Sequence, residues 1–203
     1  MAARLQVPVE AYILTLYPEN LNPPPRAPGA AAQTPELTAL ALGLAVPSFW
    51  TNQQINQAFN DANAIWTREA DIEFKPVNIS ERSEAVPANE RDMWIYFINH
   101  LTPPGRAVGV GFVYDLPSDE GGWGGGRVAA LSGKKASEGI AGFAGNLLAH
   151  ELGHVLIDDP LHGLADGNSS NLMFGRRNPR VANAGLLNPR QVELARTKAT
   201  GGR

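Results

Sequence analysis

The spacing of hydrophobic positions predicts strands in five places along the chain. Short apolar runs rich in β-branched and aromatic residues are typical of strands. The run at 93–98 is apolar throughout, which predicts a strand buried on both faces. The five segments predicted as strands are 9–17, 71–79, 93–98, 108–114 and 127–131.

Other segments repeat their apolar positions with a helical period. A capping box opening at Thr51 predicts a helix over about 52–68. The segment 139–157 is apolar on nearly all sides, which predicts a buried helix. Asn188, followed by proline, predicts the start of a last helix, and a short helix over 35–44 fits the pattern as well.

Composition narrows the class of function. Hydrophobic residues make up 43% of the 203 positions and charged residues 18%, as in soluble globular domains. A net charge of −3 leaves no basic footprint, so nucleic acid is not an expected partner. The longest apolar run, 39–46, is too short to span a membrane. Cysteine is absent, which excludes a disulfide scaffold and a cysteine-based latency switch.

The helix predicted at 139–157 carries the strongest chemical signal, an H-E-x-x-H pattern formed by His150, Glu151 and His154. Residues four apart share a helix face, so the two histidines can direct nitrogens at one point. Two neutral imidazoles suit Zn²⁺, and a third protein ligand would leave one position for water. Glu151 can reach that water and take its proton as it attacks a carbonyl.

The third ligand has several candidates after the helix. Pro160 disfavours helical conformation at Asp159, so the chain should turn there and can bring His162 back to the metal. Asp158 and Asp159 are alternative carboxylate ligands. Glu193, on the last predicted helix, would be the third ligand if the protein were a different kind of zinc peptidase.

Together these residues resemble the metzincin clan of zinc endopeptidases. The clan's signature is H-E-x-x-H-x-x-G-x-x-H followed by a Met-turn, and Asn171-Leu172-Met173 resembles that turn. The family's glycine falls on Ile157 and its third histidine on Pro160, so His162 stands two residues late. The resemblance implies zinc held by His150, His154 and His162, with Glu151 as general base and Met173 beneath the metal.

The resemblance also implies a fold and an activity. The expected fold is α+β and zincin-like, with a five-stranded mixed twisted sheet, a backing helix, an active-site helix and a C-terminal helix. The expected activity is zinc-dependent endopeptidase, acting on protein or peptide substrates. We expect one catalytic domain over 1–203, with a Pro/Ala-rich excursion at 18–50 and a C-terminal subdomain over 150–203.

In the metzincin clan an antiparallel edge strand lines the cleft and pairs with extended substrate. By order along the chain this role falls on the segment 108–114, which makes Val110, Gly111 and Phe112 the expected substrate contacts. The glycine-rich segment 118–126 is predicted to be a flexible loop. Its Asp119 and Glu120 offer carboxylates to Ca²⁺, a second metal for which the sequence gives no further support.

One rival class is not an enzyme at all. A catalytically degenerate zincin could serve as a toxin-like or interaction module, and the departures at Ile157 and Pro160 favour this alternative. An intact Glu151 argues against it, because a purely structural zinc site needs no base. A monomer is the expected state. No signal-peptide pattern opens the chain, and secretion or delivery outside the producing cell is the favoured expectation.

Overall fold

Strands and helices alternate along the chain in a computed structural model that describes residues 4–18, 48–87, 90–116, 121–159, 162–165, 167–175 and 185–201. The elements are β1 (Leu5–Pro18), α1 (Asn52–Ala70), β2 (Ile72–Val86), α2 (Glu90–Leu101), β3 (Val108–Val113), β4 (Gly122–Gly125), β5 (Val128–Ser132), α3 (Gly133–Glu138), α4 (Phe143–Ile157), a 3₁₀ turn (Gly163–Ala165) and α5 (Pro189–Ala199).

The five strands form one mixed sheet in the order β2-β1-β3-β5-β4. Neighbouring strands among β2, β1, β3 and β5 are parallel, whereas β4, at the edge of the sheet, runs antiparallel to β5. The predicted α+β class with a five-stranded mixed sheet is therefore confirmed. The register of β1 against β2 shifts between Val9 and Glu10, because Val9 pairs with Pro76 and Glu10 pairs with Asn78.

Helices cover both faces of the sheet. Successive strand residues point to opposite faces, so Val9 and Ala11 join the apolar cluster of α1, α4 and α5. Tyr12 and Leu14 join the cluster on the other face, against α2. Among the described residues, no helix has the length and apolar character needed to cross a bilayer.

α1 is the helix that backs the motif helix. The Thr51 hydroxyl accepts a hydrogen bond from the Gln54 backbone N–H, and the Gln54 side chain caps the Thr51 N–H, so the predicted capping box is confirmed. Near its other end, the fully buried Trp66 donates its indole N–H to the carbonyl of Ala149 over 3.0 Å. This bond ties α1 to α4 one residue before the first histidine of the motif.

The prediction of a strand at 93–98 is wrong, because these residues lie inside helix α2. Met93, Phe97 and Leu101 are buried at a spacing of four, as on one face of a helix, whereas Ile95 is 43% exposed. A strand would have put Met93, Ile95 and Phe97 on one face. A continuous apolar run does not distinguish the two conformations.

The sheet keeps five strands because a strand forms in the glycine-rich segment predicted as a loop. β4 is that strand, and it occupies the antiparallel edge. β3 instead lies inside the sheet, paired in parallel with β1 and β5. The expected edge role of Val110, Gly111 and Phe112 is therefore wrong, since both neighbouring strands use their peptide groups.

Other predicted boundaries move by several residues. β2 continues to Val86, well beyond the end predicted at 79. The motif helix begins at Phe143 rather than near 139, because α3 and a turn precede it and Gly142 takes up a left-handed φ of 83°. The last helix begins after its Asn188 cap as predicted. The short helix predicted at 35–44 lies outside the described residues, as does most of the 18–50 excursion.

The orientation of α2 can be tested by comparing two apolar truncations. We expect Phe97→Ala to lower the free energy of unfolding by about 3–5 kcal/mol, as for a fully buried aromatic side chain. Ile95→Ala should change it by less than about 1 kcal/mol because Ile95 is largely exposed. Urea denaturation followed by circular dichroism measures both, and equal losses would contradict the helical assignment.

Candidate metal centre

The motif helix α4 is held in the interior by close packing on several sides. Twelve of its residues, from Gly145 onward, are buried. A Cβ at Gly145 would lie 2.2 Å from Asp61 Cβ of α1, and a Cβ at Gly153 would lie 2.3 Å from Met173 Sδ. Neither position has room for a side chain, so these two glycines allow α1 and the segment 171–173 to approach the helix. That segment is called the Met-turn below, for its resemblance to the motif.

Three histidines converge at one side of α4. The Nε2 atoms of His150 and His154 lie 3.1 Å apart, and the Nε2 atoms of His150 and His162 are also 3.1 Å apart. His150 and His154 are buried and His162 is half-buried. Their ligand atoms all lie within 4.8 Å of one another, which is close enough for one metal ion to bind all three.

The partners of the other ring nitrogens decide which nitrogen faces the centre. His150 Nδ1 lies 2.7 Å from the carbonyl of Leu172, and His154 Nδ1 lies 2.9 Å from the carbonyl of Asp159. A carbonyl only accepts, so each Nδ1 carries the proton and donates it. In the neutral rings each Nε2 therefore carries a lone pair directed at the centre.

The donor set fits a divalent cation. Lone pairs on nitrogens 3.1 Å apart repel unless a proton or a cation lies between them. Two imidazoles bound to one ion at about 2.0–2.1 Å in tetrahedral geometry have their nitrogens about 3.3 Å apart. The observed spacing is close to that value. The backbone carbonyls of Leu172 and Asp159 thus orient His150 and His154 so that their Nε2 atoms could hold a metal ion.

A longer turn brings His162 back to the centre. Asp158 ends α4 in the left-handed conformation, with φ 58°, and His162 is also left-handed, with φ 57°. Between them, the buried Asp159 carboxylate accepts the backbone N–H groups of Gly163 (3.0 Å) and Leu164 (2.7 Å). Asp159 therefore orients His154 through its carbonyl and stabilises the turn carrying His162 through its side chain.

The Met-turn is fixed by its first residue. The Asn171 side-chain oxygen accepts the Met173 N–H over 2.8 Å, which closes a tight turn and directs the Leu172 carbonyl at His150. Met173 is fully buried, with its sulfur against Gly153, next to His154. The segment predicted from the sequence thus contacts His150 directly and lies next to His154.

Glu151 is buried between α4 and the edge strand β4. A Cβ at Gly122 would lie 2.6 Å from Glu151 Cγ and 2.8 Å from its Oε1. A Cβ at Gly124 would lie 2.2 Å from the Glu151 carbonyl oxygen and 2.8 Å from His154 Cβ. Gly122 and Gly124 are thus site residues that sequence reasoning missed. Glycines at every second position of a strand signal close approach of another backbone.

Several sequence candidates lie away from this centre. Glu193 is exposed on α5 and forms an ion pair with Arg190 over 3.1 Å, so it is not positioned as the third ligand. Asp158 is exposed, and the Asp159 carboxylate is used by the turn. Asp119 and Glu120 lie outside the described residues. Across the described parts of the chain, these three histidines form the one group with metal-ligand spacing.

Comparison with known proteins does not assign this chain to a family. No family model matches the chain, and no curated protein matches it. A solved structure described as "Structure of a chaperone-substrate complex" matches over 97% of this chain and 34% of that one, with 14% identity and a TM-score of 0.46. This chain thus spans about a third of the length of that protein. A likeness at this level carries no conclusion about function.

The ligand set can be tested with Zn²⁺ as the probe ion. We expect one ion to bind per chain, and His162→Ala to weaken binding by more than about a hundredfold, since loss of an outer-shell group alone costs 10–100-fold. His100→Ala and Glu193→Ala should leave affinity unchanged, because His100 stacks on Tyr96 and Glu193 pairs with Arg190. Competition with a chromophoric chelator measures affinity. A loss in Glu193→Ala comparable to that in His162→Ala would contradict this ligand assignment.

Proposed function

We propose that this protein is a zinc-dependent endopeptidase, with zinc held by His150, His154 and His162. The observation that carries the proposal is the convergence of three imidazole nitrogens beside a buried glutamate, Glu151. A structural zinc site is closed by four protein ligands, whereas a catalytic site has three and keeps one position open. A donor set of three histidines belongs to the second kind.

Zinc is the ion proposed for this donor set, because it is among the first-row metals that imidazole suits. Neutral imidazole is a borderline-soft ligand that suits zinc, and Mg²⁺ or Ca²⁺ would require oxygen ligands. Within the described ranges, no carboxylate joins the histidine group. When bound, zinc would lower the pKa of a water to about 7 and polarise the carbonyl of the peptide to be cleaved.

Glu151 would act as the base and then as the acid of the reaction. It follows His150 directly on α4, so its side chain leaves the helix about 100° away from that ligand. A carboxylate in this place can accept a proton from the attacking water and then donate it to the leaving amine. Its contact with Gly122 would fix the position of the carboxylate during both transfers.

The substrate would pair with β4. Within the described part of the chain, β4 hydrogen-bonds to a neighbouring strand on one side only, and an extended peptide can add to such an edge. β4 packs on α4 at Glu151 and His154 through its glycines. A peptide added here would therefore run beside the base, and β4 replaces Val110, Gly111 and Phe112 in this role.

The test of the proposal is hydrolysis of an unfolded protein or a mixed peptide library by the zinc-loaded protein. We expect internal peptide bonds to be cleaved, the activity to be lost with a zinc chelator, and restored by added zinc. Zinc binding without any hydrolysis over a broad library would refute the proposal and favour the catalytically degenerate module.

The role of Glu151 has its own test. We expect Glu151→Gln to keep zinc affinity within about threefold, because Glu151 is not a ligand. We expect kcat to fall by 10²–10⁴-fold, the usual contribution of a general base. Parallel zinc competition and peptide hydrolysis measure the two effects. Hydrolysis at the wild-type rate would remove Glu151 from the mechanism.

The contact between β4 and Glu151 yields a matched pair of glycine substitutions. A Cβ at Gly122 would overlap the Glu151 side chain, so we expect Gly122→Ala to lower kcat at least tenfold while zinc still binds. At Gly125 the nearest atom to an added Cβ is Trp94 Cζ2 at 3.4 Å, so Gly125→Ala should leave kcat within about twofold. Equal effects from the two substitutions would contradict the positioning of Glu151 by Gly122.

A further inference from the structure

A pair of buried side-chain amides joins the Met-turn to α5. Asn171 Nδ2 donates to Gln191 Oε1 over 2.8 Å, and Gln191 Nε2 donates back to Asn171 Oδ1 over 3.1 Å. Gln191 is fully buried and Asn171 nearly so. Buried amides are costly to leave unsatisfied, so two that face each other constrain both segments strongly.

Both amides also bond to backbone groups. Asn171 Oδ1 accepts the Met173 N–H. Gln191 Oε1 accepts the Asn188 N–H over 2.9 Å, and Gln191 Nε2 donates to the Leu164 carbonyl over 3.2 Å. Gln191 thus makes two bonds through its oxygen and two through its nitrogen, which leaves one orientation of its amide compatible with all its neighbours.

The segments that Gln191 joins both lead to metal ligands. Leu172 follows Asn171, and its carbonyl accepts the Nδ1 proton of His150 over 2.7 Å. Leu164 lies in the 3₁₀ turn that follows His162, and the Asp159 carboxylate accepts its N–H. A single side chain on α5 therefore connects the acceptor that orients one histidine with the turn that carries another.

We propose that the Asn171–Gln191 amide pair is a positioning device that sets the metal affinity of the three-histidine centre. The inference rests on the zinc centre proposed above. An apolar residue at 191 could fill the same space, but it could not bond the Met-turn and the ligand turn together. The amide pair holds the Leu172 carbonyl and the His162 turn in one relative position, so that His150 and His162 meet with the spacing that one ion requires.

The decisive substitution is Gln191→Glu, which keeps the size and the accepting oxygen but removes both donors. A carboxylate oxygen would then face two acceptors, Asn171 Oδ1 and the Leu164 carbonyl. We expect zinc affinity to fall about tenfold, which is the lower end of the roughly 10–100-fold range for loss of an outer-shell partner. Competition with a chromophoric chelator measures it, under conditions where circular dichroism shows each metal-free variant to be folded.

Asn63→Asp is the matched control. Asn63 makes a similar reciprocal bridge between α1 and β2, and it does not bond to the Met-turn or to the ligand turn. It donates to the Phe74 carbonyl over 2.9 Å and accepts the Phe74 N–H over 2.7 Å. This variant also loses an amide donor and should lower Tm, but its zinc affinity should equal that of the wild type. A Gln191→Glu protein with lowered Tm and zinc affinity within twofold of the wild type would overturn the proposal.

A second variant covers the case in which Gln191→Glu does not fold. Asn171→Asp removes the Nδ2 donor to Gln191 and keeps the oxygen that accepts the Met173 N–H. The same tenfold loss is expected, and unchanged affinity would overturn the proposal. Because the readout is zinc binding, a wild-type protein that binds zinc but cleaves no peptide would refute the endopeptidase and leave this inference standing.

Discussion

The mutual approach of ring nitrogens from His150, His154 and His162 is the constraint on which the site depends. Carbonyl acceptors fix the tautomers of His150 and His154, so their Nε2 lone pairs face each other across 3.1 Å. Such an arrangement is unfavourable unless a proton or a cation lies between the nitrogens. The hydrogen bonds from the surrounding structure hold these rings in place, in positions from which they could bind an ion. Preorganisation of this kind raises metal affinity, because little order has to be created on binding.

Glycines, which have no side chain, are as important to the site as the residues whose side chains face it. α4 is packed against α1, the Met-turn and β4 at glycines, where any Cβ would lie closer than 3 Å to a neighbouring atom. Gly145 and Gly153 are on the helix itself, and Gly122 and Gly124 are on the edge strand. Two glycines within a helix cost roughly 1 kcal/mol each in propensity. Close packing of a largely buried helix offsets that cost and keeps Glu151 beside the edge strand.

The turn after α4 shows how a spacing two residues longer can still deliver a third histidine. Two residues of this turn, Asp158 and His162, are in left-handed conformation, and Asp158 directly follows Ile157, where the metzincin pattern has glycine. The carboxylate of Asp159 then accepts the N–H groups of Gly163 and Leu164. Charge-assisted bonds to backbone N–H groups are among the stronger hydrogen bonds in proteins. Asp159, which the sequence offered as a candidate ligand, instead positions two of the three histidines.

Local sequence determined the features that depend on neighbours along the chain. The spacing of His150 and His154 follows from helix geometry, the caps at Thr51 and Asn188 follow from short polar patterns, and the Met-turn follows from Asn171. Only tertiary structure decided the rest. The apolar run 93–98 has no local property that separates a strand from a helix, and it became a helix because one face packs on the sheet. The sequence predicted a loop at Gly122–Gly125, but this segment is a strand because it pairs with β5 and packs on α4. That His162 rather than Glu193 lies beside His150 and His154 depends on where a turn and a distant helix lie in space, which no local pattern encodes.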